Sequence, residues 1–223
     1  MSIDTIYKIV QFISNKWEIG YITPEEFNRT FNIAQINLFN FLIGNSEQYQ
    51  YGSPKSRVGT GTPQRVSESL SPFFVRETLA VTSGEVTKPS QYSNVIAMRT
   101  TTNEYISRTE SDRLSTKLKS VVAPISTTNA LYVDGATTFY IYPTTGITSV
   151  VLDYYKKPLD ANWAYTVVNG RPTFNNTFPP SVNPLWRDTD VVKVIGRQLK
   201  LLGVHLKDQE ISQYANTIIQ TGE

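Results

Sequence analysis

Residues 129–158 read NALYVDGATTFYIYPTTGITSVVLDYYKKP and constrain the fold more than any other stretch. Asp134-Gly135 separates two runs rich in β-branched and aromatic residues, the pattern of a tight hairpin. A two-residue turn there requires positive φ at both central positions, which Asp-Gly tolerates well. Beyond Pro143, Thr144, Thr145 and Gly146, the run 147–156 reads as a further strand, and Pro158 cannot donate to a ladder, so it marks the exit. Three consecutive antiparallel strands are the expected anchor.

Helix signals flank this block. Ile6, Ile9, Val10, Ile13 and Trp17 recur at three- and four-residue spacing, predicting an amphipathic helix over 3–19 that stops at Gly20. Thr23-Pro24-Glu25-Glu26 is a capping box with proline at the first helical position. The helix it opens, to about Ile43, carries Phe27, Phe31, Ala34, Leu38, Phe41 and Leu42 on one side. Asn28, Asn32, Gln35 and Asn40 form an amide-rich side, read either as a contact face or as plain exposed surface. Asp188-Thr189-Asp190 opens a C-terminal helix through Val191, Val192, Val194, Ile195, Leu199 and Leu202. Gly203 is expected to break it before a last helix from Asp208 to Ile219.

Between the helix pairs, residues 71–82 and 91–102 read as strands and 110–117 as a short helix, while Asn169-Gly170 marks a short strand pair. The expected class is α+β, with N- and C-terminal helix pairs forming a helical layer around a β-rich antiparallel insertion. The segments are 1–44 (helical pair), 45–69 (extended loop), 70–158 (β-rich middle with one short helix), 159–187 (long Pro-rich connection) and 188–223 (helical pair packing on 1–44). Together they are read as one domain.

Composition narrows function. The 223 residues include no Cys and one His, with charged residues at 18%, aromatics at 12% and a net charge of +2. Without Cys and with only His205, thiol nucleophiles and paired-His metal sites are unavailable. The group Gly59–Pro63 lacks both the serine of a nucleophile elbow and the lysine of a phosphate loop. Asp188 and Asp190, with Asp160 or Asp153, are the carboxylates from which a hard-cation site would be built. A helix start explains the first two as dipole-complementing caps. The expectation is therefore a protein that is not an enzyme, with no catalytic, cofactor or metal site. Basic clusters at Arg108, Arg113, Lys117 and Lys119 and at Lys193, Arg197 and Lys200 are candidates for phosphate contact, against a reading as ion-paired solvated faces. No signal-peptide pattern and no run of roughly 20 apolar residues occurs, so the chain reads as soluble, unsecreted and without a membrane partner.

Several motifs resemble a known group. The opening ISNKWEIGYITPEEFNRTFNIAQINLFNFLIG, with Gly20, Pro24, Glu25 or Glu26, Phe27, Asn28, Ala34 and Gln35, resembles the N-terminal helical pair of structural proteins in crAss-like phages. The middle block is similar at Tyr140, Ile141, Tyr142 and Pro143 and at Tyr155, Lys156, Lys157 and Pro158. The C-terminal DVVKVIGRQLKLLGVHLKD is similar to head-to-tail adaptor subunits of tailed phages. The resemblance implies a ring-forming connector or tail-barrel protein in the virion, made in the host cytoplasm. It would stack with portal and neighbouring tail proteins around a channel for DNA or ejected proteins. Such rings are commonly twelve-fold, and ring closure needs two different complementary faces per subunit. The family has no catalytic residues to carry over. Residues 48–68 and the Pro-rich segment 169–184 match nothing in it and are read as arms that grip neighbours. A reading of another class is a carbohydrate- or receptor-binding tail module with Trp163, Tyr165 and Phe174 as its platform.

Overall fold

The computed structural model describes residues 1–16, 21–44, 64–177 and 179–205. The chain divides into two compact units: Met1–Pro72 with Pro158–Glu223, and Phe73–Lys157. The class is α+β, helices flanking a β-rich middle. Trp17, Gly20, Asn45, residues 46–63 of the expected extended loop and the expected helix from Asp208 lie outside the described residues.

The first unit is built on α1 (Ile3–Lys16), α2 (Pro24–Gly44), α3 (Gln64–Leu70) and α5 (Asp188–His205). Ile3, Ile6, Tyr7 and Val10 form the buried stripe of α1. At the start of α2 the capping box closes in both directions. The Thr23 amide donates to Glu26 Oε2 at 3.0 Å, and the Glu26 amide donates to Thr23 Oγ1 at 3.3 Å. Ile22 and Phe27, at the staple positions on either side of that cap, are both buried. Along α2 the core side is Phe27, Phe31, Ala34, Leu38, Phe39 and Leu42, so Phe39 occupies the place expected of Phe41, which is exposed.

α5 packs chiefly along α2 through Val191, Val194, Ile195, Leu199 and Leu202. Gln198 Nε2 donates to the Phe27 carbonyl at 3.2 Å. Gly203 does not end this helix, which continues to His205. Glycine in a helix interior costs about 1 kcal/mol relative to alanine, and here Gly203 is buried, where packing overrides propensity. The segment expected to be extended loop ends in α3, whose Ser69 donates to Asp190 Oδ1 at 3.0 Å. Asp190 is itself buried and also takes Arg187 Nε at 3.3 Å and Lys193 Nζ at 3.2 Å.

The amide-rich side of α2 is neither a free contact face nor plain surface, because most of it grips the chain that follows Pro158. Asn28 accepts from the Trp163 amide at 2.8 Å and donates to its carbonyl at 3.2 Å. Asn32 accepts from the Ala161 amide at 2.9 Å and donates to its carbonyl at 3.1 Å. Gln35 donates to the Leu159 carbonyl at 2.9 Å. Four helical residues rise about 6 Å and two extended residues span about 6.6 Å. Amides at spacings of four and three therefore meet every second residue of an antiparallel extended segment. Asn40, beyond the end of that segment, is exposed.

A short hairpin, β8 (Tyr165–Val168) and β9 (Arg171–Phe174), completes the first unit. Its turn at Asn169-Gly170 has φ of 53° and 76°, the positive pair that a two-residue turn demands.

In the second unit two sheets share one core. β1 (Phe74–Ala80), β7 (Ser149–Lys156) and β3 (Tyr92–Thr100) form an antiparallel sheet in the order β1-β7-β3. β2 (Glu85–Thr87), β6 (Thr138–Tyr142), β5 (Leu131–Asp134) and β4 (Ser107–Arg108) form the other, in the order β2-β6-β5-β4. β4 lies parallel to β5, a departure from the all-antiparallel expectation. Met98, Val150, Leu152 and Tyr154 from the first sheet meet Val86, Tyr132, Phe139 and Ile141 from the second. The helix expected near 110–117 is present as α4 (Ser111–Leu118), with Glu110 at its N-cap.

Two expectations for this block are corrected. β6 and β7 are consecutive but do not pair, since β7 crosses to the centre of the other sheet. Placing Val150, Leu152 and Tyr154 opposite Phe139 and Ile141 gives each apolar face a cover, which one continuous sheet would not supply. The Asp134-Gly135 turn is not a two-residue turn: Asp134 pairs with Phe139, and neither Asp134 nor Gly135 has positive φ. Lys88 holds the wider loop. Its Nζ reaches the Asp134 carboxylate and the Gly135 carbonyl, both at 2.5 Å, and lies 4.8 Å from the Phe139 ring centroid. Gly135 is required by close approach, because a Cβ there would sit 2.7 Å from the Thr138 carbonyl oxygen.

On β7, Asp153 is buried between two arginines. Arg76 Nε donates to it at 2.7 Å, and Arg99 Nη2 donates to its other oxygen. The Arg76 hydrogen bond, assisted by Arg99, holds the Asp153 carboxyl below its ordinary range, against the opposing effect of burial. A depressed carboxyl contributes stability above its unfolded pKa of about 3.9 and loses it as pH falls through the folded value. Asp153→Asn is expected to lower unfolding free energy by about 2 kcal/mol at pH 7, with the gap to the parent narrowing as pH falls below about 4. Urea denaturation at the two pH values checks it. Asn32→Ala, which leaves both Ala161 backbone groups without their amide partner, is expected to destabilise by about 2 kcal/mol. Exposed Asn40→Ala should change stability by less than about 0.5 kcal/mol.

Candidate functional site

The residues singled out from sequence as chemical candidates are dispersed by the fold. Asp153 is engaged by Arg76 and Arg99 on β7, and Asp190 by Ser69, Arg187 and Lys193 at the start of α5. Asp188 pairs with the amino group of Met1. Among the described residues no group of three or more His, Cys, Asp or Glu side chains is placed to hold a metal ion. His205 is the last residue of α5, and Gly59–Pro63 lie outside the described residues.

The aromatic platform is corrected. Trp163 is only 3% exposed. It stacks on Tyr7 at 4.0 Å with 20° between the rings, and its Nε1 donates to Asp4 Oδ1 at 3.1 Å. Tyr165 also stacks on it, with ring centroids 5.9 Å apart. This indole is a core element of the first unit, and no sugar can stack on a face already covered. The sequence offered no way to tell, because a tryptophan beside a glycine-turned hairpin has the same spacing in a core as on a platform.

The two basic clusters differ in character. On α5, Lys193 is bound to Asp190, and the Arg197 guanidinium lies 4.7 Å from the Phe41 ring centroid. Burial lowers the Arg197 pKa from its ordinary value. Lys193, Arg197 and Lys200 are all half-buried. On α4 and at its C-cap, Arg113, Lys117 and Lys119 are exposed. Arg113 stands 3.9 Å from Glu110, and Arg108 the same distance from Asp134. Arg113 and Lys117 border two open clefts, of about 370 Å³ beside Ala123 and Ile125 and about 300 Å³ beside Arg108 and Thr109. Exposed ion pairs at such distances contribute little, so these cations remain available to a partner.

Beside the exposed Val167 and Val168 of the β8–β9 hairpin, two further apolar surfaces occur among the described residues, one on a helix of the first unit and one on a loop of the second. The first is the outward side of α2, opposite Phe31 and Leu38, where Ile33 and Ile36 are 44% and 43% exposed. No charged residue occurs from Thr30 to Gly44, whereas a solvent-facing helix side is ordinarily charged. A helical projection at about 100° per residue puts Ile33 and Ile36 there, so this surface was legible had the aliphatics rather than the amides been followed. The second is the loop after α4, where Val121 and Val122 are 92% and 98% exposed and Leu118 is 49% exposed. Its sequence, apolar between Lys119 and Pro124, gives no sign that it stands free of the core.

The sequence matches no protein-family model and no curated protein. Among the described residues no helix is long and apolar enough to cross a membrane. Trp163→Ala is expected to lower unfolding free energy by about 4 kcal/mol, visible as an earlier denaturation midpoint by circular dichroism. An exposed platform residue would leave that midpoint nearly unchanged.

Proposed function

We propose that this chain is a structural subunit of a bacteriophage neck or tail ring, a head-to-tail connector or tail-barrel protein. In this reading the mechanism is geometric. Copies close into a cyclic homo-oligomer, stacked with portal and other tail proteins around the ejection channel, and substrate chemistry plays no part. The observation that carries the reading is the outward side of α2, charge-free over 15 residues and displaying Ile33 and Ile36. Such a surface suits burial against another subunit, since interface cores are depleted in charge. The motif resemblance to crAss-like phage structural proteins supplies the setting.

A closed ring needs a heterologous interface whose rotation closes, and hence two different complementary patches on each subunit. The α2 side and the Val121-Val122 loop differ in shape and in flanking charge, which fits that requirement. The exposed α4 cations suit transient contact with DNA or with the acidic surface of an adjoining ring. Negative-stain imaging and mass measurement on the recombinant full chain test the reading. Rings of uniform size and cyclic symmetry, close to twelve-fold, are expected as concentration rises. A chain that stays monomeric at high concentration and is absent from particles contradicts it.

A further inference from the structure

We infer that the ring contact is made by the Val121-Val122 loop of one copy seated on the outward side of α2 of the next. This rests on the ring reading above and names the two faces that close it. Val121 and Val122 project almost wholly into solvent, and Leu118 stands half-exposed behind them. Their flanks are cationic: Arg113, Lys117 and Lys119 are all exposed. Two such loops cannot meet tip to tip without setting these cations against one another, and like charges juxtaposed at an interface oppose association. The loop therefore requires an apolar receiver with an acidic border.

The outward side of α2 has that composition. Glu25, Arg29, Ile33, Ile36 and Asn40 follow one another at helical spacings of four and three, so they share a strip, and all five are exposed. Glu26 is exposed beside its acidic end. Arg29 is the one base on the strip, leaving that end net negative. Lys117, Leu118 and Lys119 close the last turn of α4 just before the valines, so valines seated on the two isoleucines bring the flanking lysines toward the acidic end. The contact is heterologous, as a ring demands.

The chain has no cysteine, so disulfide trapping reports on introduced thiols alone. Val122→Cys and Ile36→Cys are both at exposed positions, so each reduced variant should fold as the parent does. Mixed and oxidised, the two single variants are expected to give a heterodimer, and the double variant a ladder of covalent oligomers. Lys117→Glu with Lys119→Glu should cut that cross-linking about tenfold, and adding Glu25→Lys should restore part of it. Ile36→Cys alone giving dimers as efficiently as the mixture means α2 pairs with α2 across a two-fold axis, which overturns the proposal. Rings that form but never cross-link overturn the contact and leave the ring reading standing. Absence of rings in the parent chain overturns both. Loss of binding to phosphatidylserine vesicles in Val122→Asp, with assembly intact, assigns the loop to a membrane and also overturns the contact.

Discussion

The first unit depends on a ladder of carboxamides. Asn28 and Asn32 each present one acceptor and one donor to a single backbone residue, and Gln35 adds a donor. They thereby satisfy extended chain that no strand covers. Backbone groups removed from water must find such partners, and a carboxamide is the side chain that mimics a peptide group. The grip returns the chain from Lys157 into the first unit, sets Trp163 against Tyr7 and Tyr165, and leads through the β8–β9 hairpin to α5. α2 consequently has three kinds of surface: an apolar side against α5, an amide edge against 159–163, and an outward side left for something else.

What the sequence disclosed and what it concealed follow from the range of the forces involved. α1, α2, α4 and α5 were legible because caps and helical periodicity act within a few residues. The Thr23–Glu26 box and the Asn169-Gly170 turn are entirely local. The Asp134-Gly135 turn misled because a remote residue, Lys88, reshapes it. β7 was read as a neighbour of β6, since nothing local distinguishes a strand that continues a sheet from one that crosses to cover it. Gly203 was read as a stop because its propensity is local while the packing that carries α5 past it is not. The amide side of α2 was recognised as unusual for its lack of charge, but only the fold identifies its partner as the same chain. The exposure of Val121 and Val122 is likewise a tertiary fact: an apolar pair in sequence is the ordinary mark of core.

Internal use of the amide edge sharpens the functional reading. With Asn28, Asn32 and Gln35 engaged within the chain, the part of α2 available to another copy narrows to the aliphatic strip of Ile33 and Ile36. The buried carboxylates Asp153 and Asp190 are occupied by ion pairs within their own units, and Trp163 is occupied by stacking. The exposed apolar and cationic groups that remain are those suited to protein contact. A low-charge exterior of this kind is costly for a solitary chain, because it invites non-specific association, and the proposed ring would bury it.

Hydroxyl-radical footprinting of the full chain, compared between dilute and assembled samples, tests most directly whether these apolar surfaces are assembly faces. Oxidation of Ile33, Ile36, Val121 and Val122 is expected to fall together on assembly, while Phe12, also well exposed, keeps its reactivity. Assembly that leaves all four as reactive as in the dilute chain would contradict the account.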